Sequence, residues 1–245
     1  MSNQKKFSSF DYSTIREIPE QALRINLLEK RINQLIKRKS SSVLEVGLGS
    51  GEVSLMLSNQ FENVISIDSD IEICRSTKKF LNEKNVENVK IIHSKIEDIE
   101  NIDLNDCFFN HVILLNFLEH VENPVLILKL ISKRLGKNGI IHITVPLANS
   151  LHRLLAVEMG LIKSTTEIAE SDKHFGHYRI YTLELLKQHI VEAELKIDFE
   201  QSFYLKPLPT SILTSLPSEI HEGLFKMGQK IPEFASYIYI ESSCL

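Results

Sequence analysis

The chain has few cysteines. Cys74, Cys107 and Cys244 are far apart, odd in number and without CxxC spacing. That excludes a disulfide framework and a thiolate zinc site, and makes a reducing cytoplasm the expected setting. Positive charge is not in excess either: 28 Lys and Arg stand against 32 Asp and Glu, a net charge of -4. No basic field or appended module for nucleic acid is expected. No stretch approaches the roughly 18 apolar residues that cross a bilayer. The opening MSNQKKFSSF lacks the apolar centre of a secretory signal, so neither export nor a membrane partner is expected. Repeats are missing, and the only low-complexity piece is Ser40-Ser41-Ser42.

The composition that remains, 43% hydrophobic and 24% charged over 245 residues, suits one globular domain with a sizeable core. Leu23, Leu27, Leu28, Ile32, Leu35 and Ile36 recur at helical spacing and predict an amphipathic helix over about 20–38, within an N-terminal segment 1–40. From residue 43, short apolar runs alternate with helical patterns. VLEVG (43–47), VISID (64–68), VKIIH (89–93), HVILLNF (111–117) and GIIHITVP (139–146) read as strands, with helices near 52–60, 71–84 and 124–135. Pro124 and Gly136 provide the start and stop of the last helix. Buried strands separated by helices predict an α/β fold with a doubly wound, mostly parallel sheet. After Pro146 strand alternation fades, and residues 147–181 read as a helical insertion or lid. A helix capped by Thr182 follows at about 182–194. LKIDFEQSFYL (195–205) and ASYIYIESS (235–243) are expected as antiparallel edge strands, and four prolines break up a second lid element, 206–234.

The stretch VLEVGLGSGEVS places Gly47, Gly49 and Gly51 between the first strand and its helix, where an open α/β sheet binds its ligand and glycine lets the backbone come close. A dinucleotide fingerprint fails here, because Glu52 or Ser54 stands where GxGxxG needs its third glycine. Glu52 would also face a pyrophosphate at the helix N-terminus with like charge, and no GK followed by Ser or Thr marks a P-loop. Asp68 ends the second strand 17 residues after Gly51, where a carboxylate can accept from both hydroxyls of a ribose. A nucleoside ligand without phosphates fits both features. Read without a ligand, Asp68 would be a cap for the next helix.

Four motifs in order carry a resemblance. Glu45-Val-Gly47-Leu-Gly49-Ser-Gly51, ISID ending at Asp68, HSKIEDI (93–99) and NFLEHVENP (116–124) together resemble the class I S-adenosylmethionine-dependent methyltransferases of small-molecule type. The resemblance covers residues 43–146 and implies a seven-stranded, Rossmann-like sheet with S-adenosylmethionine as cofactor and S-adenosylhomocysteine as product. It implies that Gly47, Gly49 and Gly51 pass the methionine part and ribose, that Glu45 helps hold the ammonium group, and that Asp68, with Ser69 beside it, takes the ribose. Lys95, Ile96 and Glu97 would meet the adenine, although many relatives carry an acid where Lys95 stands. Asn116 and Phe117 would line the methionine side.

Methyl transfer from a sulfonium needs alignment, and a base only where the acceptor must lose a proton. His120, just past the fourth strand, and His174 and His177 in KHFGHYRIYT are the candidate bases; without such a role they are a loop-bonding histidine and a polar surface loop. Tyr178, Arg179 and Arg153, with Lys206, are candidates for binding an acidic acceptor, or pair with local carboxylates such as Asp172. Some ubiquinone-pathway O-methyltransferases resemble the chain at LEHV and carry a Glu three positions before the Glu-His pair, forming a metal site. Here Asn116 stands there, a weak ligand, and no metal is expected. The expected activity is methylation of a small-molecule acceptor, on oxygen; the alternatives are a small-amine N-methyltransferase and a non-catalytic cofactor-binding partner subunit. The N-terminal helix and the 206–234 stretch are expected to cover either the pocket or a partner chain, the latter as a homodimer.

Overall fold

A computed structural model describes residues 18–35, 42–102, 104 and 108–245. The expected helical residues 36–38, the Ser40-Ser41 part of the connector and Cys107 lie outside the described residues. Helix α1 (Pro19–Leu35) precedes β1 (Ser42–Val46), α2 (Glu52–Gln60), β2 (Asn63–Asp68), α3 (Ile71–Glu83), β3 (Val89–His93), β4 (Phe109–Leu115), α4 (Pro124–Ser132) and β5 (Leu135–Pro146). The chain continues with α5 (Leu151–Glu158), α6 (Glu170–His174), α7 (Leu183–Glu192), β6 (Leu195–Phe203), α8 (Thr210–Leu213), α9 (Ser218–Lys230) and β7 (Tyr237–Cys244). No helix among the described residues is long and apolar enough to cross a membrane.

The seven strands form one sheet in the order β3-β2-β1-β4-β5-β7-β6. Strands β1 to β5 are parallel, and β7 runs antiparallel to both β5 and β6. The pleat sends alternate side chains to two cores. Leu44, Val46, Val112, Leu114, Ile141 and Ile143 meet α4 and α7 on one face. Val43, Val64, Ile113 and Tyr239 meet α1, α2 and α9 on the other. Both faces are covered, which is why these strands read as continuous apolar runs.

Three expectations are corrected. Strand β4 spans 109–115 rather than 111–117, because Asn116 adopts φ 49° and turns the chain out of the sheet. Strand β5 begins at Leu135, which pairs with Phe109 before the ladder shifts at His111, so α4 ends at Ser132 and the Gly136–Gly139 stretch belongs to the strand. Finally, β7 is interior: its YIYIES run is buried from Tyr237 to Ser242, and only β6 is an edge on that side.

Candidate functional site

The site forms at the carboxyl ends of β1, β2 and β4. Gly47 (φ 86°) and Gly51 (φ 82°) hold left-handed turns that L side chains adopt only with strain. A Cβ on Gly47 would stand 3.1 Å from the Phe117 ring, so the loops after β1 and β4 touch there. The Gly47 N–H donates to Ile67 O (2.9 Å) and the Gly51 N–H to Leu48 O (2.9 Å).

Asp68 ties this loop to the end of β2. Its Oδ2 accepts from Leu48 N (2.9 Å) and its Oδ1 from Asp70 N (2.8 Å). Each oxygen keeps a further lone pair. The capping role that Asp68 would have had without a ligand falls to Asp70, whose Oδ1 accepts from Glu72 N (2.7 Å) and Ile73 N (3.3 Å). Partial burial pushes the Asp68 carboxyl up, against the pull of those two N–H groups. Glu45 lies deeper, 1% exposed. Its Oε2 accepts from Ser54 Oγ (2.5 Å) and Ser66 Oγ (2.6 Å), fastening β1 to α2 and β2, while Oε1 has no partner. Desolvation raises its pKa to about 7 despite the two hydroxyl donors.

Farther along the rim, Ser69 is exposed and its carbonyl lies 3.2 Å from His93 Nε2. Lys95 and Glu97 are exposed on either side of buried Ile96, which anchors their turn in the core. Asn116 is fixed by Thr144, accepting on Oδ1 from its hydroxyl at 2.8 Å.

The acceptor-side candidates divide. His120 and His177 come together, ring centroids 4.8 Å apart and edge to face, beside Glu119. These three offer ligand-type atoms within 4.8 Å of one another. Burial lowers the His120 pKa to about 4 and raises that of Glu119 to about 7. His177 Nδ1 is 3.6 Å from Asp172 Oδ1. Asp172 accepts hydrogen bonds from Ala169 N (2.8 Å) and Arg153 Nη1 (3.0 Å). Burial would raise the Asp172 pKa, but these donors outweigh it and bring the pKa to about 2. His174 stays apart from the pair, exposed on α6 against Phe175.

The cations expected either to bind an acidic acceptor or to pair locally all have partners within the chain. Arg179 donates from Nη1 to Leu118 O (2.7 Å) and Val121 O (2.5 Å), and from Nη2 to Glu122 O (2.8 Å). It staples the segment between α6 and α7 to the loop after β4. Arg153 donates to Thr165 O (2.6 Å), to Glu167 O and to Asp172, the local pairing that its sequence context had left open. Tyr178 is 52% exposed, its ring beneath the Arg179 guanidinium. Lys206 pairs with Glu20 at 3.2 Å.

That pair shows which residues sequence reasoning missed: α1 joins the site wall through positions 20, 21 and 24. Gln21, buried at 7% exposure, donates from Nε2 to Ser50 Oγ of the glycine loop (3.0 Å). Arg24, whose Nη2 donates to Gln21 Oε1 (2.5 Å), contributes favourably to the charge on Glu119. A buried glutamine at a nominally polar helix position was the only signal, and periodicity cannot read it.

A seven-stranded sheet with β7 antiparallel, a left-handed glycine turn after β1 and a carboxylate closing β2 define the methyltransferase class of Rossmann-like folds. The model of the methyltransferase domain family matches residues 21–198, and the chain belongs to that family. No curated protein matches it in sequence. Among solved structures, it resembles the plantazolicin methyltransferase BamL, crystallised with a desmethyl analogue and S-adenosylhomocysteine, at 18% identity and TM-score 0.63, covering 94% of this chain and 88% of that one. A methyltransferase from Aquifex aeolicus is similar at 14% identity and TM-score 0.57, covering 96% and 98%. The cyclase SpnF is similar at 12% identity and TM-score 0.61, covering 89% and 79%. At these identities the likeness is one of fold, and a fold hosts more than one chemistry.

Proposed function

We propose that the protein transfers a methyl group from S-adenosylmethionine to a hydroxyl oxygen of a small molecule. The cofactor lies along Gly47–Gly51, with its ribose on Asp68 and its adenine over residues 95–97. The observation that carries the oxygen reading is the meeting of Glu119, His120 and His177 next to the loop that begins with Asn116 and Phe117. Phe117 packs on Gly47, so this cluster borders the methionine side of the cofactor. A neutral hydroxyl is a poor nucleophile until its proton is removed, and clustered imidazole and carboxylate groups serve that need. A neutral amine would need orientation and desolvation more than a base, so the cluster favours oxygen over nitrogen.

Calorimetry with S-adenosylhomocysteine, followed by an assay for its release across phenols, sugars, carboxylates and amines, tests this directly. Turnover on a hydroxyl acceptor is expected, with His120→Ala and His177→Ala losing turnover while retaining product affinity. Absence of S-adenosylhomocysteine binding would end the cofactor assignment. Turnover confined to amines would end the oxygen assignment.

A further inference from the structure

We propose that Glu119, His120 and His177 form a binding site for a divalent transition-metal cation, contrary to the expectation drawn from Asn116. The third ligand comes from the lid, so position 116 is not needed to complete the set. Three observations support this. The ligand-type atoms of the three side chains lie within 4.8 Å of one another. Around a cation with bonds of about 2.1 Å they would stand about 3.0–3.5 Å apart, a closure that small side-chain rotations supply.

Secondly, Glu119 is 1% exposed and its Oε2 has no hydrogen-bond partner. Buried carboxylates are normally paired or coordinate metals. The neighbouring cations do not satisfy this oxygen: Arg24 Nη2 donates to Gln21, and Arg179 is engaged by the carbonyls of Leu118, Val121 and Glu122.

Thirdly, both imidazoles have outer partners of the kind that orient metal ligands. His120 is hydrogen-bonded to the Phe175 backbone. His177 Nδ1 stands 3.6 Å from Asp172 Oδ1, just beyond hydrogen-bond length, where an ion pair forms once the ring is charged or polarised by a cation. Asp172 is itself fixed by Arg153 and the Ala169 N–H.

Two imidazoles and one carboxylate favour Zn²⁺, Fe²⁺, Co²⁺ or Mn²⁺ over Mg²⁺ or Ca²⁺, which prefer all-oxygen sets. Such a triad leaves coordination positions open, and a cation there lowers the pKa of a hydroxyl that it binds. With the imidazoles bound to a cation, activation of the hydroxyl passes from them to the cation, and that role rests on the proposed O-methylation. The binding site does not.

The test uses the full chain stripped of metal with a chelator and titrated with Co²⁺, followed by visible ligand-field bands, and with Zn²⁺ by calorimetry. Thermal unfolding and S-adenosylhomocysteine binding are measured on the same samples. One saturable equivalent is expected, lost in both His177→Ala and Glu119→Gln, and weakened about 10- to 100-fold in Asp172→Asn, the loss typical for an outer-shell partner. No saturable binding of either ion by folded wild-type protein overturns the site, whatever S-adenosylhomocysteine does. Unchanged binding in both ligand variants overturns it as well. Failure of S-adenosylhomocysteine to bind beside intact metal binding would instead remove the methyl-transfer reading and leave the site standing.

Discussion

Replacing Asp68 by Ala removes the carboxylate that links the glycine loop to β2 and, in the proposed complex, holds the ribose. The side chain accepts from Leu48 N at 2.9 Å and Asp70 N at 2.8 Å. Hydrogen bonds to a charged group contribute about 1.5–3 kcal/mol each. Losing both ribose hydroxyl bonds therefore costs at least about 3 kcal/mol of binding, or about 150-fold in the S-adenosylhomocysteine dissociation constant. The two freed N–H groups add a stability loss, because one or both must find water. Asp68→Asn should fall between the variant and wild type, since one carboxamide oxygen still accepts while its NH2 opposes a backbone N–H. Titration calorimetry reads the affinity, and thermal unfolding without ligand separates loop damage from lost ribose contact. An affinity within threefold of wild type at unchanged Tm would refute both the placement of the ribose and the bracing role.

Glu45→Gln probes the raised carboxyl of a side chain buried beneath the loop, with a pKa of about 7 against an ordinary 4.5. Below pH 4.5 both folded and unfolded states are protonated and nothing is gained. As pH rises from 4.5 to 7 the unfolded chain ionises while the folded one resists, so wild type loses stability relative to the variant. Unliganded Glu45→Gln should therefore be more stable by up to about 3 kcal/mol above pH 7, with the gain fading by pH 4.5 in thermal scans; a gain independent of pH would contradict the desolvation argument. Gly51→Ala forces φ 82° on an L residue and sets its Cβ 3.0 Å from the Thr77 methyl and 3.1 Å from Phe80. The strain of about 1–2 kcal/mol should lower Tm by about 2–8 °C, and an unchanged Tm would mean that the turn is not left-handed. In Gly228→Ala the Cβ would meet backbone, 2.6 Å from Phe203 C and 2.8 Å from Tyr204 C. Helix α9 must move off β6, and differential scanning should show a loss of about 1–3 kcal/mol; wild-type stability would show that this helix does not dock through Gly228.

Most of the sheet was legible because its information is local. Val/Ile runs need only five or six consecutive residues to declare themselves, whether buried as in β1 or at the edge of the sheet as in β3, which coincides with the predicted Val89–His93. Thr182 caps α7 through Leu185 N at 3.1 Å as its position suggested. The errors fall where a long-range pairing overrides local pattern. Leu135 belongs to β5 because Phe109 is there to receive it, a partner 26 positions away that no window over 124–139 contains. Interior placement of β7 likewise depends on β5 and β6 lying on either side, whereas its amino-acid pattern suits an edge as well as a centre.

The acceptor side was harder to read because residue type does not reveal whether a charge is already spent. KHFGHYR supplied two candidate histidines, and His174 and His177, three residues apart, end on opposite sides of a distinction that only tertiary contacts make: one exposed, the other against His120 and Asp172. Arg179 donates to three carbonyls of the loop after β4, a use of its charge that the sequence does not display. The same reasoning gives α1 its part. Its far end is held by Arg31 on Glu241 at 2.7 Å, and Glu241 accepts from Tyr239, whose hydroxyl meets His142 at 2.6 Å, which in turn lies 2.8 Å from His111. Its near end is held by Gln21 on Ser50 and by Glu20 on Lys206 and Tyr237. A helix fastened at its far end to β7 and at its near end to the glycine loop, Lys206 and Tyr237 is a fixed wall. Acceptor selectivity should therefore respond to substitutions at α1 positions 20, 21 and 24 at least as strongly as to changes in the lid.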